Sequence, residues 1–317
     1  MIRYTLNRIL WLIPVVLVVS IIVFALSHLA PGDPARALLG GEASQAQVDA
    51  LRERMGLNQP VILQYLTWLG RIAVGDLGES VFLRQPVLEA IATHYQPSLW
   101  LGGLGLLVAL AISIPLGTLA ARLRGSWVDN LTGAFTLVGM AVPSFVLALI
   151  FVLVFAVQLR AFPVAGYIDP MKDFSRGMST LILPAGALGM ILAALITRTT
   201  RAAVLDVVQA DNIVAARARG VGEARLLFAH TLKNAGLPIL TVVGVSLGIV
   251  ITGTAVTETI FNIPGIGSLV VNAVSRRDYP VIQGVVLFVT LAYLAINLLI
   301  DLLYALIDPR VRLGKGV

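Results

Sequence analysis

The feature that most constrains this chain is a series of six apolar runs, each long enough to cross the hydrocarbon core of a bilayer. Such a crossing takes about 20 helical residues. The runs lie near residues 9–29, 99–121, 131–157, 180–197, 236–257 and 285–307. In lipid, every backbone N–H and C=O group must be satisfied within the protein, so runs of this length predict helices. The predicted fold is an all-α membrane protein with six transmembrane helices.

The composition agrees with this prediction. The 317 residues are 58% hydrophobic and 13% charged, with a mean hydropathy of +0.91, which exceeds what the core of a soluble domain requires. The chain contains no cysteine, which excludes disulfides, thiolate zinc sites and cysteine nucleophiles. Its net charge of +6 is not gathered into a basic patch interleaved with aromatic residues, so no nucleic-acid partner is predicted.

The distribution of Lys and Arg predicts the orientation. With six spans, both termini lie on one side of the membrane, together with the loops 122–130 and 198–235. That side collects thirteen Lys and Arg against five acids, whereas the other side carries ten of each. Loops rich in Lys and Arg remain in the cytoplasm. We therefore expect cytoplasmic termini, and we expect the first run to be retained as an anchor because no A-x-A-like cleavage site follows it.

The external region after the first span is predicted to be structured. Residues 44–55 are predicted to form a helix that Gly56 stops, and residues 61–73 an amphipathic helix at the membrane interface. The apolar face of the second helix comprises Ile62, Tyr65, Leu66, Leu69 and Ile72. We expect three parts: the first span with this region over 1–93, a membrane domain over 94–307, and a cytoplasmic tail over 308–317.

Residues 211–225, hereafter the polar segment, separate two of the apolar runs. Small residues are interspersed there with arginines, in the order Ala215, Ala216, Arg217, Ala218, Arg219 and Gly220. On a helix, Ile213, Ala216 and Gly220 fall on one stripe. A stripe this flat predicts a face to which another protein docks closely.

The polar segment and the residues after it resemble the cytoplasmic "EAA" coupling loop of ATP-binding-cassette (ABC) importer permeases. The matching residues are Asp211, Ile213, Ala216, Arg217, Ala218, Arg219 and Gly220, then His230, Leu232, Asn234, Ala235 and Pro238. Val214 stands where the family has the glutamate that names the motif. Further motifs occur in the family's order: PGDP at 31–34, GDLGES at 75–80, ETIF at 258–261, PGIG at 264–267, RDYP at 277–280 and DPR at 308–310. Together they are similar to the dipeptide, oligopeptide and nickel permease family, especially its dipeptide permease "B" subunits.

This resemblance implies the type I ABC importer permease fold and a pore subunit in a bacterial inner membrane. It implies a second homologous permease subunit, two cytoplasmic ATPase subunits that bind ATP and magnesium, and an external substrate-binding protein. Short peptides are the implied substrate, moved by alternating access, with nickel and glutathione as alternatives. The implied ATPase-coupling residues are Asp211, Ile213, Ala215, Ala216, Arg217, Ala218, Arg219 and Gly220. Whether the two permease subunits are identical or form a heterodimer stays open.

No ATPase site, cofactor or metal site is predicted in the chain itself. The pair Gly314-Lys315 lacks the upstream glycine and the following Ser or Thr of a phosphate-binding loop. Residues 244–248 match the G-x-S-x-G nucleophile pattern around Ser246, but they lie within an apolar run, where a GxxxG pair predicts helix packing. An intramembrane hydrolase would need a base near this serine. A proton-coupled transporter would need a relay of carboxylates, for which the spans offer Glu258 and Asp301.

Three residues are candidates for the pathway or the gate: Pro143, Ser246 and Glu258. Pro143, like Pro115 and Pro184 in other spans, removes a helix hydrogen bond and is expected to kink or interrupt its span. A carboxylate at the bilayer centre costs roughly 2.5–3.5 kcal/mol, and less towards the ends. Glu258 is expected to cap the external end of its span, where it either pairs with Arg276, Arg277 or a backbone donor, or faces the pathway.

The predicted orientation can be tested because the parent chain has no cysteine of its own. Ser44→Cys should react with a membrane-impermeant maleimide in intact cells, because residue 44 is expected outside. Gly222→Cys should react only after the membrane is permeabilised. The reverse labelling pattern would overturn both the orientation and the placement of the polar segment.

Overall fold

The computed structural model describes residues 2–29, 36, 44–54, 56–80 and 82–307. The PGDP motif, the tail over 308–317 and its DPR motif lie outside these residues. The helices are α1 (Ile2–Leu29), α2 (Gln45–Arg54), α3 (Val61–Ala73), α4 (Val87–Arg122), α5 (Trp127–Ala141), α6 (Ser144–Phe151), α7 (Phe174–Val208), α8 (Asp211–Ala218), α9 (Glu223–Arg225), α10 (Leu232–Ile260), α11 (Ile266–Arg276) and α12 (Tyr279–Ile307). Two π-helical segments, π1 (Val152–Gln158) and π2 (Leu226–Thr231), and an antiparallel hairpin of β1 (Glu79–Ser80) and β2 (Gln85–Pro86) join them.

Five of the six predicted spans are helices long and apolar enough to cross a membrane. They are Arg8–Leu26, Val87–Arg122, Phe174–Val208, Glu223–Ile251 and Tyr279–Tyr304. The run predicted over 131–157 is broken instead, because α5 and the helix over 144–158 are bent by 106°. Pro143 lies at the break and precedes α6 in an extended conformation, as expected of a residue without a backbone donor. Within the described residues there are thus five spanning helices, or six spans if the bent pair counts as one.

The chain forms two compact units. The large unit comprises Pro97–Gly267 with the described residues from Ala295 onward, and the small unit comprises the described residues of Ile2–Gln96 with Ser268–Leu294. The region before α4 therefore forms one unit with a stretch from the other end of the sequence.

Helix α7 is the central element of the large unit. It contacts α5, α6, α8 and α10, and roughly half of its 35 residues are buried. Leu181, Leu192 and Ile196 of α7 are fully buried in a core that also includes Leu101 of α4 and Phe261 after α10. The helix is continuous through Pro184, since its neighbours supply packing on several sides.

Glycines bring α4 directly against α7. A Cβ atom added to Gly189 would lie 2.7 Å from the carbonyl oxygen of Gly105, and one added to Gly117 would lie 2.8 Å from that of Thr197. Gly105 also faces Leu188, and Gly117 faces Thr200, so the contact advances twelve residues along both helices. The two helices are therefore parallel and keep one register. Helices in lipid associate largely through such close packing of small residues.

In the small unit, α3 packs on α1 through aromatic residues. The ring of Phe24 lies 5.4 Å from that of Tyr65 and 5.5 Å from that of Trp68, and the hydroxyls of Ser20 and Tyr65 are 2.8 Å apart. Both helices predicted after the first span are confirmed over nearly the predicted residues. Gly56 follows the first of them with φ of +68°, a conformation that suits glycine.

The hairpin of the small unit is fastened to the turn before α12. Ser80 donates a hydrogen bond of 2.5 Å to the carboxylate of Asp278, and both side chains are buried. The Arg276 guanidinium lies 3.3 Å from the centre of the Phe82 ring, a cation–π contact. These contacts join the GDLGES motif to the RDYP motif, which are almost 200 residues apart in the sequence.

The glycine crossing predicts a sharp difference between two alanine substitutions. Gly189→Ala should destabilise the protein by about 1–3 kcal/mol, because the new methyl group meets backbone that cannot move aside. The matched control is Gly103→Ala on α4, where no atom lies within 4 Å of the added Cβ. It should be neutral or slightly stabilising. Equal midpoints of thermal unfolding for the two variants would contradict the tight crossing.

Candidate functional site

The polar segment consists of α8, a turn over residues 219–222, and α9. Helix α8 ends because Gly220 adopts a φ of +80°, the left-handed conformation that commonly closes a helix at glycine. The amides of Gly220 and Val221 donate back to the carbonyls of Arg217 and Ala216 at 3.0 and 3.2 Å. The segment is thus an ordered helix and turn, and it leads directly into π2 and α10.

Two of the three residues in the stripe predicted to be the docking face point inward instead. Ile213 is 1% exposed and Ala216 is 7% exposed, because both pack against Leu226 of π2. Val207 and Val221 cover the same cluster. The expectation that Ile213 and Ala216 lie on an exposed face is therefore wrong. Their periodicity marks the side of α8 that is buried against its own chain.

The other predicted coupling residues are exposed. They are Asp211, Ala215, Arg217, Ala218, Arg219 and Gly220. Between them the segment exposes apolar surface: Val214 is 52% exposed, and Phe228 of the adjacent π2 is 70% exposed. Sequence reasoning did not single out Phe228, since a lone phenylalanine near a predicted span is more simply interpreted as lipid-facing. The exposed residues of the segment and of π2 thus include small residues, arginines and these two apolar side chains.

An ion-pair network connects the polar segment to the end of α4. Arg217 Nε donates to Glu223 Oε1 at 2.8 Å, and Arg122 Nη2 lies 3.8 Å from the other oxygen of that carboxylate. All three side chains are partly exposed, so solvent and salt screen both pairs and they contribute little to stability. The role of Glu223 is therefore geometric: it closes the turn between α8 and α9 and holds it near Arg122.

A stronger ion pair joins α5 to α7. Arg201 makes a bidentate contact with Asp129, with donor–acceptor distances of 2.5 and 2.8 Å, and the amide of Gly125 donates to the same carboxylate at 3.0 Å. The carboxylate is buried and the guanidinium is half-buried. Removal of one partner from such a pair typically costs about 3–5 kcal/mol. The partners are 72 residues apart, so the sequence pattern gave no signal for the pair.

Glu258 lies in the last turn of α10 and is fully buried. Ser98 Oγ donates to its carboxylate at 2.7 Å and accepts from the amide of Ile266, the first residue of α11, at 2.8 Å. A side chain at Gly265 would collide with the carboxylate. Glu258 therefore has a partner that the sequence did not indicate, the hydroxyl of Ser98. The pair holds the start of α11 against α4 and α10.

The remaining pathway candidates have structural partners. The hydroxyl of Ser246 is buried and donates to the carbonyl of Val242 on its own helix at 2.8 Å. A Cβ atom on Gly244 would lie 2.7 Å from Ile300 of α12, as expected of a packing glycine. Pro143 lies at the break between α5 and α6. Among the described residues, no group of three or more His, Cys, Asp or Glu side chains is arranged to hold a metal ion.

Two family models match the chain. Residues 113–313 match the "binding-protein-dependent transport system inner membrane component", and residues 1–94 match the N-terminal membrane component of the same transport systems. Among curated relatives, a probable peptide ABC transporter permease protein, y4tP of Sinorhizobium fredii, is 41% identical over 98% of this chain and 99% of its own length. The glutathione transport system permease protein GsiC of Escherichia coli K12 is 38% identical over the same shares of the two chains.

A solved structure has a similar fold. The chain resembles a chain of the MetNI methionine ABC transporter in an inward-facing conformation, with a TM-score of 0.56 and 15% sequence identity. The alignment covers 70% of this chain and 97% of that chain.

The contact between Ser98 and Glu258 leads to a prediction about stability. Ser98→Ala removes the donor to a buried carboxylate and the acceptor of the Ile266 amide, so it should destabilise the protein by about 1–3 kcal/mol. The control is Thr259→Ala, whose exposed hydroxyl donates to a carbonyl of its own helix. If Ser98→Ala lowered uptake but left the thermal midpoint unchanged, the structural role would be excluded.

Proposed function

We propose a function from one premise: the chain belongs to the family of inner membrane components of binding-protein-dependent transport systems. It is the permease subunit of an ABC importer, with the type I importer fold, and it crosses the inner membrane several times. Permeases of this family work with ATPase subunits and a binding protein. We propose which surface of this chain contacts the ATPase subunits, which side of the membrane that surface faces, and which substrates the importer carries.

The outward face of the polar segment is proposed to dock on an ATPase subunit in the cytoplasm. The observation that carries this proposal is the exposure of Val214 and Phe228 beside Arg217 and Arg219. Exposed apolar side chains beside arginines favour contact with a partner protein, and small residues at Ala215 and Ala218 allow that partner to approach closely. The complementary surface is an apolar cleft with acidic residues at its rim.

The inward side of the polar segment is proposed to transmit the movement of the ATPase. Ile213 and Ala216 fasten α8 to Leu226, and α8 contacts both α7 and π2. Helix α7 and the continuous helical stretch that begins at Glu223 also contact each other along their lengths. A displacement of α8 is therefore passed to two spans at once. Nucleotide drives alternating access only through its different affinity for the two states of the complex.

The proposed substrates are short peptides. The names of the relatives support this class, since one is a probable peptide permease and another is a glutathione permease. Glutathione is itself a short peptide, so both names agree on a chain of amino acids rather than on nickel. The complex is proposed to contain a second homologous permease subunit, two ATPases and an external binding protein. ATP and magnesium are proposed to bind to the ATPases.

Reconstitution of the complete importer tests the proposal. Proteoliposomes with all subunits should take up labelled dipeptides only when ATP and the binding protein are both present. Val214→Asp and Phe228→Asp should each reduce uptake and co-purification of the ATPases tenfold or more, because a buried unpaired carboxylate at the contact costs over 1.4 kcal/mol. Membrane insertion should be unchanged, since both side chains are exposed in the chain alone.

The control is Leu159→Asp, because Leu159 is exposed to a similar degree but lies outside the polar segment. This variant should retain the ATPases. Normal uptake with both ATPases bound in Val214→Asp and Phe228→Asp would exclude the proposed docking face. Uptake of nickel alone, with no uptake of peptides, would exclude the proposed substrate class.

A further inference from the structure

Four buried hydroxyls of helices α4 and α7 have no hydrogen-bond partner within the described residues. They belong to Ser113 and Thr118 on α4 and to Thr197 and Thr200 on α7. All four side chains are more than nine-tenths buried. A buried hydroxyl without a partner costs about 1–3 kcal/mol, so a group of four requires an explanation.

Other buried Ser and Thr hydroxyls in the helices of this chain do have hydrogen-bond partners. The usual solution is a bond from the hydroxyl to the carbonyl three or four residues earlier on the same helix. The buried side chains of Thr132, Thr136, Thr180 and Ser246 all make that bond, at 2.8–2.9 Å. The four hydroxyls of the α4–α7 interface do not make it, although each lies within a helix that offers such carbonyls. The lack of a partner is therefore particular to these four positions.

The register of the two helices brings these hydroxyls to one level. Gly117 contacts the backbone of α7 at Thr197 and the side chain of Thr200. Ser113 precedes Gly117 by one helical turn, and the constant parallel register therefore places it beside residues 196 and 197. Because Gly117 has no side chain, the backbone of α4 lies directly against α7 at the two threonines, and Ser113 is the next α4 side chain on the same face.

We propose that this interface binds internal water, held by the hydroxyls of Ser113, Thr197 and Thr200, with Thr118 at its edge. A buried water molecule requires two to four polar partners, and this group supplies them. Water bridges can exchange partners without loss of hydrogen bonds. The proposed water lies along α7 between the close helix contact at Gly189 and the ion pair of Arg201 with Asp129. This inference does not depend on the substrate or on the docking face proposed above.

Substitutions that keep the shape but remove the hydroxyl distinguish a hydrated interface from a dry one. In the assembled importer, Thr197→Val and Ser113→Ala should each lower the thermal midpoint by about 2–4 °C. The double variant should lose less than the two losses together, because both hydroxyls hold the same water. In a dry interface, removal of an unpartnered hydroxyl leaves the midpoint unchanged or raises it, and the effects add. That result would overturn the proposal.

Thr199→Val is the matched control, since Thr199 lies between the two threonines on α7 but bonds to the carbonyl of Leu195. The midpoint of thermal unfolding of the Thr199→Val importer should differ little from that of the parent. A loss at Thr199 equal to that at Thr197 would attribute the effect to valine in the helix and would also overturn the proposal.

Thiol exchange gives an independent measurement, because the chain contains no cysteine. The S–H stretch of Ser113→Cys, obtained by subtracting the infrared spectrum of the parent complex, should shift to S–D rapidly in D₂O. Ala109→Cys, one turn earlier on the same helix and equally buried, should exchange at least tenfold more slowly. If Ser113→Cys fails to assemble, Thr197→Cys is compared with Ala193→Cys on α7. Equal exchange rates within the pair would show that the interface holds no water of its own.

Discussion

The close contact between α4 and α7 is the constraint on which the rest of the large unit depends. In lipid, apolar side chains gain little from leaving their surroundings, so helices associate where their backbones approach closely. Gly105, Gly117 and Gly189 allow that approach. With α4 fixed on one side, α7 has other sides available for α5, α6 and α10, and it is buried over roughly half of its length. One long helix with small residues on several faces thus organises the bundle.

This arrangement places the polar segment against the ends of α4 and α7 and against π2. Helix α8 follows the end of α7 after two residues, and α9 begins the helical stretch that continues through π2 into α10. Ile213 and Ala216 attach α8 to Leu226 of that stretch, and Glu223 attaches the intervening turn to α4. Helix α8 therefore lies in contact with the ends of packed helices, and its buried residues Ile213 and Ala216 fix it there.

The sequence predicted the features that are set by local chemistry. The apolar runs predicted five of the spanning helices because their length is imposed by the bilayer, and Pro143 predicted the break in the remaining run because proline lacks a donor. The buried stripe of α8 was misassigned because periodicity identifies a face without identifying what covers it. The partners of Ser98 and Asp129 were not predictable from spacing, since they lie 160 and 72 residues away and only the fold brings them together.

The polar segment has an apolar residue exposed on α8 and a charged pair at the turn that follows it. Val214 occupies the position at which the resembling permeases carry a glutamate, and it is exposed. The carboxylate that pairs with Arg217 is instead supplied by Glu223, from the far side of the turn at Gly220. Glu223 thus supplies an acid beside Arg217 from the turn, while Val214 on α8 is an exposed apolar residue. The charged pair of Arg217 and Glu223 therefore shapes the turn, while Val214 and, in the adjacent π2, Phe228 are exposed apolar side chains that a partner could contact.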